Sequence, residues 1–144
     1  MFGWGRRVGK TRAHMADPHI VTKLREGREE DVRPCVGAGY CLDRIYVGKD
    51  ALCLHNPATG REHRELKHRV GRGEAGRKVM VVGGGVAGLE AARVCAERGH
   101  KVVLFEAGSQ LGGQVRLAQR ATWRRDLGNV ADWLVAQVGG ILFF

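Results

Sequence analysis

Apolar residues gather most densely between positions 78 and 106, in two short runs with a helical stretch between them. The first run, Lys78-Val79-Met80-Val81-Val82, is rich in β-branched residues and closed by glycine. That pattern predicts a buried strand of a parallel sheet. Gly83-Gly84-Gly85 follows as a turn, and a helix is predicted through Ala91, Ala92, Val94 and Ala96, stopping at Gly99. The second run, Lys101-Val102-Val103-Leu104-Phe105, ends in Glu106. Strand, helix and strand in this order make one βαβ unit. The terminal Gly139-Gly140-Ile141-Leu142-Phe143-Phe144 reads as the opening of a third strand.

Patterning elsewhere is weaker. A short strand is expected at Val8. Asp17-Pro18 suits a helix N-cap with proline at the first helical position, Ile20, Val21 and Leu24 form one apolar face, and Gly27 closes the helix. Residues 31–60 read as loop and hold three of the four cysteines. Residues 61–77 read as a polar linker broken by Leu66 and Val70. No internal repeat is visible. One βαβ unit is too little sheet for a doubly wound domain, so the 144 residues are expected to be part of something larger.

The formal charge of +9 raises nucleic acid as a partner. The basic residues, however, are scattered, acids are interleaved, and Trp4, Trp123 and Trp133 stand far apart. No nucleic-acid partner is expected. No apolar stretch is long enough to span a membrane, and the N-terminus lacks the apolar core of a secretory signal. A cytoplasmic protein without membrane association is expected, in which cysteines serve metal, redox or packing roles more than disulfides.

Candidate chemistry sits at two places. Gly83, Gly85 and Gly88 stand at G-x-G-x-x-G spacing at the strand-to-helix turn. Such glycines permit the tight turn, the approach of a pyrophosphate, and close helix–strand packing. A diphosphate there meets the free N–H groups of the helix N-terminus. Glu106, 21 residues after Gly85, can accept both hydroxyls of an adenosine ribose and would repel a 2′-phosphate. FAD, NAD or ADP is therefore favoured over NADP. The plainer alternative is a βαβ unit with a glycine turn and an exposed acid.

The second place is Cys35, Cys41 and Cys53, spaced C-x5-C-x11-C. Thiolates on a loop suit an iron–sulfur cluster, or zinc with His55 or Asp43 as a fourth ligand. Three small buried residues at a domain junction would also account for them. Cys95, inside the predicted helix, is expected in the core.

Several stretches carry a resemblance: Thr11-Arg12-Ala13-His14-Met15-Ala16-Asp17-Pro18, Arg33-Pro34-Cys35-Val36-Gly37, and Cys53-Leu54-His55-Asn56-Pro57-Ala58-Thr59-Gly60, followed by the glycine fingerprint. In this order they resemble the flavin and iron–sulfur oxidoreductases of the trimethylamine dehydrogenase and 2,4-dienoyl-CoA reductase family, and within it the demethylases acting on N-methylproline. The resemblance runs from about Val8 to about Gly139. It implies an α/β fold with the C-terminal end of an FMN-binding TIM barrel, its last strand and helix in residues 1–33. An iron–sulfur-type cysteine loop follows in 34–60, a linker in 61–77, and the start of a truncated Rossmann-like FAD- or NAD-binding unit in 78–144.

By the same resemblance Arg12 grips an FMN phosphate, a task suited to a guanidinium. Cys35, Cys41 and Cys53 fall on three of four cluster positions, while Ala38 stands where the family has its remaining cysteine. A three-iron cluster, a four-iron cluster with an unusual ligand, or no cluster would each fit that departure. Ala87 falls in the glycine turn, Glu106 on the ribose, and Gly112-Gly113-Gln114 at a second loop near the FAD; without the family, Gln114 is an exposed loop residue. The reaction implied for an intact relative is oxidation of a C–N bond in a small N-methylated amine, with hydride passing to FMN and electrons moving through a cluster. The chain alone is expected to be inactive and to hold FAD or ADP, with another chain as a possible complement. Its residues 78–138 are expected to fold better than 1–77. A non-catalytic nucleotide-binding module and a small zinc protein remain the alternatives.

Overall fold

The computed structural model describes residues 9–64, 71, 76–139, 142 and 143. Its centre is a parallel sheet in the order β1-β2-β3, formed by Lys78–Val82, Lys101–Phe105 and Leu142–Phe143. Val79 lies opposite Val102 and Val81 opposite Leu104, so these four side chains share one face. Helix α4 (Val86–Glu97) makes the crossover between β1 and β2. Gly99 stands just past its C-cap with a φ of 90°, the left-handed stop read from the sequence. β3 pairs with β2, as the terminal apolar run predicts.

The core lies on the α4 side of this sheet. Leu89 and Ala92 of α4 and Val102 and Leu104 of β2 pack with Val130, Trp133, Leu134 and Val138 in and just after helix α6 (Gly128–Gln137). Cys95 packs against this cluster, as expected of a core position. Among the described residues nothing buries the opposite face of β1. Met80 is 69% and Val82 76% exposed, so β1 is half-buried and alternating where the sequence predicts a fully buried strand. A β-branched run is compatible with either environment; a covering layer decides between them.

The N-terminal half is built of short helices. No strand occurs in residues 9–33; Val8, where one is predicted, lies outside the described residues. Instead α1 (Thr11–Ala16) comes first, then α2 (Ile20–Arg25). Asp17 Oδ1 does accept a backbone N–H, that of His19 at 3.0 Å, but the helix begins at Ile20, later than Asp17-Pro18 predicts. Gly27 ends it with a φ of 67°. Residues 31–60, read as loop, contain α3 (Tyr40–Tyr46), entered through Gly39 with a φ of 78°. Within the predicted linker, Glu62–Arg64 form a single 3₁₀ turn, and Leu66 and Val70 lie outside the described residues. Arg77 already accepts the N–H of Lys101 on its carbonyl, at 2.9 Å.

The halves share their core. Val36 of the cysteine segment belongs to the cluster around Leu89. Asn56 Nδ2 and Thr59 Oγ1 both donate to the carbonyl of Met15, at 3.1 and 2.6 Å, tying the Asn56–Gly60 turn to the end of α1. A Cβ on Gly60 would lie 2.4 Å from the carbonyl oxygen of Ala51. These contacts give the Asn-Pro-Ala-Thr-Gly segment a structural reason for its composition.

Candidate functional site

The glycine turn is shaped first by backbone contacts. Gly83 takes a φ of 99° and donates its N–H to Phe105 O at 2.7 Å, closing the turn against the end of β2. A Cβ on Gly88 would lie 1.9 Å from Gly83 O and 3.4 Å from Val81 Cγ1. Gly88 therefore lets α4 lie directly on the turn. Gly85 is the N-cap of α4 and offers no side chain to its first-turn N–H groups, and a Cβ there would meet nothing within 4 Å. Ala87 is exposed in that first turn. The result is a shallow, donor-lined concavity, the local geometry that receives a diphosphate.

Glu106 sits beside it. Its carboxylate accepts the N–H of Gly84 at 2.6 Å and of Gly108 at 2.8 Å. The Gly108 and Gly84 hydrogen bonds hold the carboxyl below its usual range, so it is an anion at neutral pH. The backbone N–H groups of Gly108, Gly84 and Ala107 all bear on this carboxylate, and a ribose hydroxyl would compete for its remaining lone pairs.

The second glycine loop meets the first. Gly112 donates its N–H to Gly84 O at 2.8 Å and bridges to Gly85. A Cβ on Gly113 would lie 3.2 Å from Gly85 Cα. Gln114 is exposed and opens helix α5 (Gln114–Ala118). The structure thus brings Gly83, Gly85, Ala87, Gly88, Glu106 and Gly113 into one neighbourhood, with Gln114 at its edge. Sequence spacing missed Gly84: a Cβ there would lie 2.4 Å from Leu111 Cδ2 and 3.1 Å from Glu106 Oε2. Only its place inside a run of three glycines could have signalled it.

Cys35, Cys41 and Cys53, well before the fingerprint in the chain, line a single pocket together with Ala38 and His55. All three are free thiols. Arg12 is exposed on α1 and lies at the same pocket. Among the described residues, no three His, Cys, Asp or Glu side chains converge as they would around a single metal ion. Asp43, the other acid near these cysteines, is exposed on α3 and does not line the pocket. Three free thiols and an imidazole around one pocket are the donor types that an iron–sulfur cluster takes.

A buried charged network joins this pocket to the glycine unit. Arg33, 8% exposed, donates to the carbonyl of His55 and, at 3.3 Å, to Glu90 of α4. Its guanidinium carbon lies 4.5 Å from the centre of the Trp133 ring, and that of Arg93 lies 5.7 Å from it. Arg93 binds Glu90 through two nitrogens, at 2.8 and 2.9 Å. Burial alone would raise the Glu90 carboxyl, but the two guanidiniums outweigh it and hold it below its usual range. The His55 ring meets Trp133 edge-on at 5.1 Å. Burial pushes the His55 imidazole down to about 4, so it is neutral at physiological pH. Sequence reading assigns neither Arg33 nor Arg93 a role of its own, and nothing local signals their burial.

Residues 81–138 match the family model of the NAD(P)-binding Rossmann-like domain. A protein of Rhizobium meliloti (strain 1021) named "Probable N-methylproline demethylase" is 59% identical over 130 residues, covering 90% of this chain and 19% of that protein. The N,N-dimethylglycine/sarcosine dehydrogenase of Chromohalobacter salexigens is 51% identical over 127 residues, covering 88% of this chain and 18% of its own length. The solved structure of 6-hydroxypseudooxynicotine amine oxidase from Pseudomonas geniculata N1 superposes with a TM-score of 0.90 at 31% identity, over 95% of this chain and 21% of that one. The chain therefore spans about one fifth of the length of the relatives it matches. Over that fifth it is similar to proteins named as amine demethylases, amine dehydrogenases and an amine oxidase.

Proposed function

We propose that this chain is the electron-transfer junction of a flavin-dependent oxidoreductase that oxidises the C–N bond of a small N-methylated amine. The observation that carries the reading is the adjacency of a three-thiol pocket and a glycine turn through the Arg33–Trp133–Glu90 contacts. In this reading FMN supplies a two-electron acceptor for the amine, and a cluster hands electrons singly to a second acceptor. The chain's own residues bind and orient. Gly83, Gly85 and Gly88 shape the seat of an FAD or ADP diphosphate, the first turn of α4 donates to it, and Glu106 takes the ribose. Gly113 and Gln114 close the second side. Cys35, Cys41 and Cys53 hold the cluster, and Arg12 offers its guanidinium to an FMN phosphate.

Anaerobic purification with an absorption spectrum, iron, sulfide, zinc and flavin analysis, and an ADP titration tests this reading. Iron with sulfide, together with saturable ADP binding, is expected. A colourless chain without metal that does not bind ADP overturns it. A second reading, a nucleotide-binding module without redox chemistry, is favoured by the complete glycine turn beside cysteines that do not converge on one ion. ADP binding without iron would select it.

A further inference from the structure

We propose that His55, through Nε2, is the fourth protein ligand of an iron–sulfur cluster held by Cys35, Cys41 and Cys53, in place of a thiolate that Ala38 cannot supply. The inference rests on the reading of the cysteine pocket as a cluster site.

Three observations meet here. First, the three cysteines, Ala38 and His55 all line the same pocket. Second, the imidazole is set up as a ligand. His55 Nδ1 lies 3.0 Å from the carbonyl oxygen of Pro34, a partner that can only accept, so Nδ1 carries the proton and Nε2 presents a bare lone pair. A metal-bound histidine characteristically uses its other ring nitrogen in this way, which fixes the tautomer and the ring. Third, Nε2 is buried and has no hydrogen-bond partner, although the residue is only 4% exposed. A buried acceptor left unmatched is costly, and a bound iron would satisfy it.

The surroundings hold the ring in place. Its backbone carbonyl accepts from Arg33, and its edge rests against Trp133. Three thiolates and one imidazole are a donor set of the kind that iron–sulfur clusters take. Replacing one thiolate by a neutral imidazole also removes negative charge from the cluster, and histidine-for-cysteine exchange raises reduction potential where it occurs.

The test uses the full chain carrying ¹⁵N-histidine, reconstituted anaerobically with iron and sulfide, reduced with dithionite and examined by pulsed EPR. Hyperfine coupling from a histidine nitrogen is expected, absent in His55→Gln with the fold intact by circular dichroism. In Ala38→Cys the introduced thiolate is expected to displace the imidazole: the coupling disappears, the iron content is kept, and the midpoint potential falls. A cluster that assembles without histidine coupling in the unmutated chain, or coupling that survives in His55→Gln, overturns the ligand assignment and leaves the cluster reading standing. Failure of the unmutated chain to retain iron and sulfide overturns both.

Discussion

Two glycines of the fingerprint, three positions apart, are predicted to fail in opposite ways. In Gly88→Ala the new methyl would lie 1.9 Å from the carbonyl oxygen of Gly83, where real Cβ atoms keep at least 3.0 Å, so helix α4 or the turn has to move by roughly 1 Å. The obstacle is backbone, not a flexible side chain, and Val81 Cγ1 at 3.4 Å blocks an easy tilt. The expected cost is about 3 kcal/mol, the upper end of overpacking. For a chain of this size that is about 10 °C in Tm. In Gly85→Ala the methyl meets nothing within 4 Å, and a φ of −71° suits alanine. Its stability is expected to be unchanged or higher by about 0.5 kcal/mol. Its Cβ, however, would occupy the space through which a diphosphate approaches, and ADP affinity is expected to fall by about tenfold or more, some 1.4 kcal/mol. Thermal unfolding by circular dichroism and ADP titration by calorimetry separate the two. Equal Tm losses in both variants, or a Gly88→Ala chain that melts with the unmutated one, would refute the division of labour.

Other expectations follow from the same contacts. Glu106→Gln should weaken ADP binding about tenfold, because a neutral amide accepts ribose hydroxyls less strongly than a carboxylate; calorimetry reads it directly. Trp133→Ala removes the ring between Arg33 and Arg93 and should cost about 4 kcal/mol, with faster alkylation of Cys41 and Cys53 as the readout of a loosened pocket. Asp17 is buried, which opposes its charge, but donors from Lys23, Arg33 and His19 outweigh burial and hold its carboxyl below the usual range. The stability it contributes is present above the ordinary carboxylate range and is lost as pH falls through its folded value. Asp17→Asn should therefore cost about 2 kcal/mol at pH 7, with the difference from the unmutated chain shrinking on acidification; a pH-independent difference in urea midpoints would count against that account.

The βαβ unit was legible because its signals are local. Short runs rich in β-branched residues, a glycine turn and a left-handed stop at Gly99 each act within a few residues. What covers a strand is not local, so the exposure of Met80 and Val82 could not be read from their apolarity. Helix α3 escaped notice because it is only seven residues long, lies between glycines and buries none of its residues. The glycine site was legible through spacing, whereas Gly84 was not, since its need for glycine comes from Leu111 and Glu106 folding back over it. Arg33 and Glu90 stand 57 positions apart, and only the folded chain shows that they meet. His55 was visible as a nearby donor, but its bare Nε2 depends on where the carbonyl of Pro34 lands.

The contact of Arg33 with the His55 carbonyl, Trp133 and Glu90 has a thermodynamic corollary. A ligand that binds only the ordered form of one site raises the population of that form. Because the same guanidinium braces the cysteine pocket and helix α4, ordering either one pre-orders the other. Occupancy at the pocket and occupancy at the glycine turn should then favour each other by the same factor in both directions, since such linkage is reciprocal. On the proposed reading, molecules with only one site filled would be scarcer than independent filling would leave.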